Sequence, residues 1–415
     1  MAFQKVKGTA DFYPEEKEIQ NRVFSILRAM AIKYGFSEVE SPAFEHLKVL
    51  TEKEGEEIKK QVFVLEKRSD EELGLRFDLT VPLARMFIEK QKTVPKPVKW
   101  FYLTRMWRYE QPQQGRAREF YQFGVELFGS DKPEADAEVI NLVIDSLTAL
   151  GLTKKDFFIK INNRKLLEGL LTDFIDKNKL EETIRIIDKK SKVSEKEFET
   201  ELKGIKLNDE QITKIKNILK INKIEEIEKL KLNEEASRGC EELKNILKFV
   251  KKEFVMIDLS AARGLAYYTG TVFECFDSEQ KFRAIAGGGR YDKMIEQFGG
   301  EPCPATGFGM GYSTLMLLLE DKKLIPKIDL GPDYFVAILN DDVREDALKI
   351  VDKLRKKYSV DYDLSRRNLG NQLKYANSIK AKKAIVIGED EVKKKEVKVK
   401  DMNTGKEEKV FLDKL

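Results

Sequence analysis

The stretch of sequence that decides the fold runs from Arg105 to Gly129 and reads RMWRYEQPQQGRAREFYQFGVELFG. Apolar and polar residues alternate on both sides of a polar break that contains Pro112 and Gly115. Alternation on both sides of a turn predicts two antiparallel strands joined by a loop. Several arginines flank the break, and a guanidinium makes paired, permanently charged hydrogen bonds to phosphate oxygens. The residues alone leave two interpretations open, a polyphosphate pocket or an exposed arginine-rich hairpin.

Length and charge suggest a multidomain protein with an anionic partner near its C-terminus. The 415 residues are 41% hydrophobic and 36% charged, which is enough chain for two or three domains with a sizeable core. From Lys327 onward the chain has 21 basic and 17 acidic residues, so this part carries the whole net charge of +4. Elsewhere the abundant lysines and glutamates are typical of a solvated surface, such as that of a heat-tolerant protein.

Cysteine and histidine usage excludes several kinds of site. The 3 cysteines are far apart and the chain has 1 histidine, His46. The cysteine spacing fits reduced thiols rather than disulfides or a zinc site. With one histidine, the chain offers little basis for a histidine-dependent catalytic triad or a histidine-rich metal site. We interpret His46 as an ordinary structural residue. No apolar run reaches membrane-spanning length and the N-terminus lacks a signal-peptide pattern, so we expect a soluble, cytoplasmic protein without membrane segments.

The N-terminal half alternates helices and strands. Pro14 and Glu15 open an amphipathic helix that ends at Gly35. Thr80 is a good capping residue for a helix that starts near Pro82. The remaining expectations are strands at 36–40, 62–65, 73–78 and 157–161, and helices at 82–90 and 132–150.

The second half contains a helical segment followed by returning strands. From 165 to 251 the composition shifts to Lys, Glu, Leu and Ile with helical spacing, which predicts an inserted helical domain. A glycine run at 286–292 follows a predicted strand, and 305–319 predicts a strand and then a helix. After Pro326, strands and helices alternate to the C-terminus, which predicts a compact α/β domain with a mixed sheet.

The central hairpin resembles a known motif. Arg108, Tyr109 and Glu110, followed by Gly115, Arg116 and the residues up to Phe120, are similar to the second signature motif of class II aminoacyl-tRNA synthetases. The continuation from Phe120 to Glu126 resembles the histidyl-tRNA synthetase family in particular.

The resemblance extends over nearly the whole chain. Residues 263–268 and 286–292 resemble the two histidine-specific segments of that family, and 371–377 resembles its anticodon-binding domain. Ala266 stands where the family usually has aspartate, and Thr314 stands where it usually has the arginine of the third motif, so the ATP site lacks one expected cation.

The resemblance implies an α+β fold with three parts. A class II antiparallel-sheet catalytic domain would cover 1–325, and a helical insertion domain at 165–251 would interrupt it. An α/β anticodon-binding domain would cover 326–415. The first class motif would end at Pro42 and form a homodimer.

The resemblance also implies the substrates and the residues that bind them. The substrates would be L-histidine, ATP with Mg²⁺ on its phosphates, and tRNA(His), without metal ligands from the protein. ATP would be bound by Arg108, Glu110, Arg116, Phe120 and Arg263, of which Arg108 and Arg263 would be catalytic. Histidine would be bound by Asp78, Thr80, Arg108, Gln122, Glu126, Tyr267 and Tyr268. Candidate tRNA contacts are Gln111, Gln113 and Gln114.

Three functions remain open at this point. The first is a histidine–tRNA ligase, whose chemistry needs alignment and charge neutralisation rather than a protein base, because the nucleophile is already a carboxylate. The second is a non-catalytic, histidine-binding regulatory paralogue, which Ala266 and Thr314 would favour and the C-terminal domain would not. The third is an RNA-binding or structural protein with an arginine-rich hairpin, which leaves the pocket residues in separate segments unexplained.

Overall fold

The protein forms two compact units. This computed structural model describes residues 3–51, 60–67, 70–113, 115–190, 193–262, 267–412 and 414. The first unit consists of Met1–Asp11 and Gln20–Ile325, and the second consists of Phe12–Ile19 and Pro326–Leu415. Within the described ranges, no helix combines the length and the apolar character needed to cross a membrane.

The first unit is built on an eight-stranded sheet with the spatial order β1-β4-β5-β10-β9-β8-β6-β7. Only the β1–β4 and β6–β7 pairs are parallel, and the other pairs are antiparallel. Its strands are β1 (Ser37–Glu38), β4 (Val98–Trp107), β5 (Glu119–Phe128), β6 (Phe157–Asn163), β7 (Val255–Ile257), β8 (Thr271–Asp277), β9 (Ala286–Arg290) and β10 (Ala305–Gly311). The short strands β2 (Phe44–His46) and β3 (Leu73–Leu75) pair separately.

The predicted central hairpin is confirmed as β4 and β5. The register places Trp100 opposite Glu126 and Tyr102 opposite Gly124. Because side chains alternate between the two faces of a strand, Gln122, Gly124 and Glu126 share one face of the sheet. Phe101, Phe123, Val125 and Leu127 are buried on the opposite face.

Helices cover the sheet of the first unit, and the segment between β6 and β7 is helical as predicted. Capping boxes at Ser194 and Asn208 begin two of its helices by satisfying backbone N–H groups that have no partner within the helix. The helix Pro14–Lys33 belongs to the first unit from Gln20 onward and to the second unit before it. The other helices of the first unit are Leu47–Thr51, Thr80–Lys90, Pro133–Ala149, Arg164–Thr172, Lys177–Lys189, Glu195–Gly204, Asp209–Ile218, Ile224–Ile227, Glu234–Ile246, Met294–Gln297 and Tyr312–Asp321.

The second unit has the predicted mixed sheet. Its order is β12-β11-β13-β14-β15, with β11 parallel to both of its neighbours and the other pairs antiparallel. The strands are β11 (Tyr334–Ile338), β12 (Val360–Tyr362), β13 (Lys383–Ile387), β14 (Glu396–Asp401) and β15 (Glu407–Phe411), and the helices are Arg344–Arg355, Leu369–Ser378 and Glu389–Lys394. The sequence analysis did not predict β15 or the helix Glu389–Lys394, which are both strongly polar.

Two local predictions were wrong, and a third was incomplete. The strand expected at 62–65 is reduced to an isolated bridge between Val64 and Gly74. The glycine run follows strand β8, as predicted, and itself forms β9, because β8 and β10 satisfy its backbone hydrogen bonds from both sides. Thr80 is not the helix cap. The cap is Leu79, and the Asp78 carboxylate accepts a hydrogen bond from the Thr80 backbone N–H at 2.6 Å.

Candidate active site

Glycines on β5 and β10 make room for polar side chains on one face of the large sheet. A Cβ atom added to Gly307 would lie 2.1 Å from Glu126 Oε2, and one added to Gly309 would lie 2.1 Å from Gln122 Nε2. A Cβ atom on Gly124 would lie 2.4 Å from the Tyr102 hydroxyl oxygen. These positions exclude any side chain, so the glycines fix where the polar groups can stand.

Glu126 is a buried carboxylate with an unsatisfied oxygen. Its exposed fraction is 1%, and among the described residues none donates a hydrogen bond to Oε2. Burial raises the pKa of the Glu126 carboxyl well above its usual range, the negative charge of Asp78 raises it further, and a hydrogen bond with Thr80 opposes the shift. A buried group in this condition is suited to accept a hydrogen bond from a ligand.

The groups around Glu126 form an acceptor-rich pocket. Asp78 is half-buried at the start of the helix Thr80–Lys90, and Thr80 is buried beside it. Gln122 is buried on the same face as Glu126, and its Nε2 donates to the Tyr102 hydroxyl at 2.9 Å. Two carboxylates, a hydroxyl and an amide carbonyl are the acceptors that an ammonium group requires.

Arginines and an aromatic ring lie at the loop end of the hairpin. Arg108 Nε donates to the Phe77 carbonyl at 3.0 Å, and its guanidinium carbon lies 5.1 Å from the centre of the Phe120 ring. Arg116 forms an ion pair with Glu110, whose backbone carbonyl accepts from Arg118 Nε at 3.1 Å. The structure therefore joins a cationic, aromatic region to the acceptor-rich pocket.

Two tyrosines of a third segment, Tyr267 and Tyr268, pack in the same hydrophobic cluster as Tyr102. The rings of Tyr267 and Tyr268 have their centres 4.7 Å apart, and Tyr268 is buried. A Cβ atom on Gly289 would lie 2.9 Å from the Tyr268 ring, so this glycine of β9 also makes room for a side chain of the site. Arg263 and Ala266 lie outside the described residues.

The remaining candidate residues lie in different surroundings. Gln111 and Gln113 are exposed near the tip of the hairpin, and Gln114 lies outside the described residues. Pro42 and His46 are exposed near the small β2–β3 sheet. Thr314 is buried, and its hydroxyl oxygen would lie 3.5 Å from a Cβ atom on Gly115 of the hairpin loop.

The sequence analysis missed Tyr102. It did not name this residue as a candidate, whereas the structure places its hydroxyl among the polar groups of the pocket. The signal that could have found it is Gly124, because a glycine inside an otherwise regular strand marks close approach by another group.

An antiparallel sheet that carries this arginine hairpin and a final strand–helix pair defines a class II aminoacyl-tRNA synthetase fold. The sequence model of histidyl-tRNA synthetase matches residues 8–315, and that of the anticodon binding domain matches residues 333–415. The chain belongs to the histidyl-tRNA synthetase family.

Known proteins are similar to this chain over nearly its full length. Histidine–tRNA ligase of Natronomonas pharaonis is 39% identical, with 99% of this chain and 96% of the relative covered. Histidine–tRNA ligase of Pyrococcus horikoshii is 40% identical, with 99% and 97% covered. The crystal structure of histidyl-tRNA synthetase from Nostoc superimposes with a TM-score of 0.83 at 27% identity, covering 100% of this chain and 98% of that one. These findings favour an ATP-dependent ligase over both alternatives, a regulatory paralogue and a generic RNA-binding protein.

Proposed function

We propose that this chain activates L-histidine with ATP, forming histidyl-adenylate and pyrophosphate, and then transfers histidine to the 3′ end of tRNA(His). The observation that carries the proposal is the Glu126 carboxylate. It is buried on the face where Asp78, Thr80 and Gln122 gather, and none of the described residues donates to its Oε2. An imidazole N–H supplies the missing donor.

Histidine would be held at both ends. Asp78, Thr80 and Gln122 accept hydrogen bonds from its ammonium group. Glu126 accepts from the imidazole N–H, and the Tyr268 hydroxyl serves the other ring nitrogen beside the wall formed by Tyr267. An amino acid that cannot complete these bonds would leave buried polar groups unpaired, which supports rejection by ~10⁴-fold or more.

Adenylate formation would depend on alignment of charged groups. A histidine carboxylate oxygen attacks the α-phosphorus, the bond to the bridging oxygen breaks, and pyrophosphate leaves with that oxygen. Arg108 holds the carboxylate and the α-phosphate, and Arg263 approaches that phosphate from the opposite side. Phe120 stacks on adenine, while Arg116, paired with Glu110, reaches the terminal phosphates.

Magnesium would enter with the nucleotide. Among the described residues there is no group of three or more His, Cys, Asp or Glu side chains that could hold a metal ion. Mg²⁺ commonly keeps several waters and binds through substrate phosphates rather than in a protein cage. Bound there, it would neutralise charge on the departing pyrophosphate.

We assign the macromolecular partners to three surfaces, two for tRNA and one for a second copy of the chain. The C-terminal unit, with its basic excess, would bind the anticodon region of tRNA(His), and Gln111, Gln113 and Gln114 would contact its acceptor end. Pro42 and Phe44, which is 51% exposed, would contribute to a homodimer interface. Because its tRNA substrate is used in protein synthesis, we place the enzyme in the cytoplasm.

The test is histidine-dependent exchange of pyrophosphate into ATP, followed by charging of tRNA(His), with purified protein. We expect exchange with histidine and not with the other amino acids, and Arg108→Ala should abolish it. Removing 327–415 should leave exchange largely present and reduce charging. Absence of exchange with the intact chain would overturn the proposal, and undiminished charging after the deletion would overturn the role of the C-terminal unit.

A further inference from the structure

Tyr102 lies beneath the proposed ammonium site. It stands on β4 opposite Gly124 of β5, and its exposed fraction is 1%. A Cβ atom on Gly124 would come within 2.4 Å of the Tyr102 Cζ and hydroxyl oxygen. The Tyr102 ring therefore lies across Gly124. Its hydroxyl lies near the polar side chains that stand on either side of Gly124 on β5.

The hydroxyl holds one end of the Gln122 amide. It accepts a hydrogen bond from Gln122 Nε2 at 2.9 Å. Burial, followed by the charges of Asp78 and Glu126, raises the pKa of the Tyr102 hydroxyl well above its usual range, so it stays neutral at physiological pH. The phenolic oxygen is thus a lasting acceptor for the amide N–H.

An amide has a donor end and an acceptor end, and only one of them suits an ammonium ligand. With Nε2 committed to Tyr102 and lying above Gly309, the carbonyl Oε1 is the end left for the pocket. Without the tyrosine hydroxyl, the amide could turn and present its NH₂ group to the ligand's cation.

We infer that Tyr102 is a positioning residue that fixes the Gln122 amide with its carbonyl oxygen toward the α-amino group of the substrate. This inference rests on the proposed function, because that proposal assigns Gln122 to the ammonium. Tyr102 acts through Gln122 and does not itself touch the substrate. Its role is to set the preference for a positively charged α-amino group over a neutral group at that position.

The experiment compares Tyr102→Phe with the wild-type enzyme in pyrophosphate exchange. We expect the KM for histidine to rise about 5- to 10-fold, the scale of a lost hydrogen bond, while the KM for ATP stays within about 2-fold. Imidazole-lactate, which has a hydroxyl in place of the amino group, serves as a competitive inhibitor. Its Ki should change by less than about 2-fold, since a hydroxyl can meet either end of the amide.

Two further variants separate positioning from a general structural effect. Tyr34→Phe removes a hydroxyl that donates to Asp145 Oδ2 at 2.6 Å, outside the pocket, and should leave every KM unchanged. In a Gln122→Met background, Tyr102→Phe should add no further increase in the KM for histidine. The double variant is compared with Gln122→Met alone, and the measured quantity is the KM for histidine. The comparison therefore stays valid even if Tyr102→Phe lowers stability.

Three outcomes would overturn the inference: an unchanged KM for histidine, an equal loss for imidazole-lactate, or a full additional loss in the Gln122→Met background. Failure of the proposed function itself would look different. In that case the wild-type protein would show no histidine-dependent exchange at all, before any variant is compared.

Discussion

Two buried carboxylates in the same unit have opposite surroundings. Asp136 is 3% exposed and Glu126 is 1% exposed. Asp136 accepts hydrogen bonds from Arg290 Nε at 2.9 Å and Nη2 at 2.7 Å, whereas no described residue donates to Glu126 Oε2. Burial raises the pKa of both carboxyls, but Arg290 opposes the shift at Asp136 and Asp78 adds to it at Glu126.

This difference indicates that Asp136 stabilises the fold, whereas Glu126 is available to bind a ligand. Arg290 ties β9 to the helix Pro133–Ala149 and also bonds Asp292 at 3.0 Å and the Ser130 carbonyl at 2.9 Å. Burial alone would lower the pKa of Arg290, but Asp136 and Asp292 outweigh it and raise the pKa. Among the residues that the structure describes, no cation compensates Glu126, so its burial is a cost to the folded protein that binding can relieve.

The largest effect is expected for Asp136→Asn. The substitution keeps the volume and removes the charge, leaving Arg290 buried with weaker compensation. We expect the free energy of unfolding to fall by about 3–5 kcal/mol, measured by chemical denaturation. Asp131→Asn, at an exposed position nearby, is the control and should change stability by less than about 0.5 kcal/mol. A loss no larger than that of the control would mean that the buried pair does not hold the fold.

A smaller effect is expected on the stability of the ligand-free protein after Glu126→Gln. The pKa of Glu126 is higher in the folded than in the unfolded protein, so protonation of Glu126 stabilises the fold. This contribution to the free energy of unfolding is complete below the unfolded-state pKa and is lost as pH rises through the folded-state pKa. Glutamine cannot ionise, so the free energy of unfolding of the variant should increase relative to that of the wild type as pH rises. We expect a gain of about 1–3 kcal/mol as pH rises above the usual glutamate pKa of about 4.3, measured by chemical denaturation at a series of pH values. A stability difference that does not change with pH would contradict the raised pKa.

The smallest effect is expected for an exposed pair. Arg28 and Glu38 lie 2.8 Å apart, and each side chain is about 40% exposed. Glu38→Gln should cost about 0.2–1 kcal/mol, less at high salt, because water and ions screen the charges. Denaturation at low and high salt measures both values. A cost as large as that of Asp136→Asn would show that burial does not govern the worth of an ion pair here.

The sequence predicted those parts of the site that depend on local periodicity. The alternation around Pro112 and Gly115 predicted the hairpin, whose two-residue period puts Gln122 and Glu126 on one face. Their role in binding histidine was implied by the family resemblance. The partnership of Asp136 with Arg290 was not predictable, because 154 positions separate the two residues and only the assembled sheet brings them together.

Other features depended on tertiary context. The sequence analysis did not assign the glycines of β9 to a strand, because glycine has little strand propensity, yet hydrogen bonds from both neighbouring strands hold them in the sheet. The position of the Tyr102 hydroxyl in the pocket depends on the register of β4 against β5, which pairs Tyr102 with Gly124. The assignments of Arg263 and Gln114 came from family resemblance alone and stay predictions.

The most direct test of the unpartnered carboxylate is pyrophosphate exchange by Glu126→Gln, measured at varied histidine and separately at varied ATP. Glutamine keeps the volume and one acceptor but removes the charge that the imidazole N–H would meet. We expect the KM for histidine to rise by about 10-fold or more, about 1.5–3 kcal/mol, with little change in the KM for ATP. An unchanged histidine dependence, or an equal loss for both substrates, would contradict the account that Glu126 recognises the imidazole.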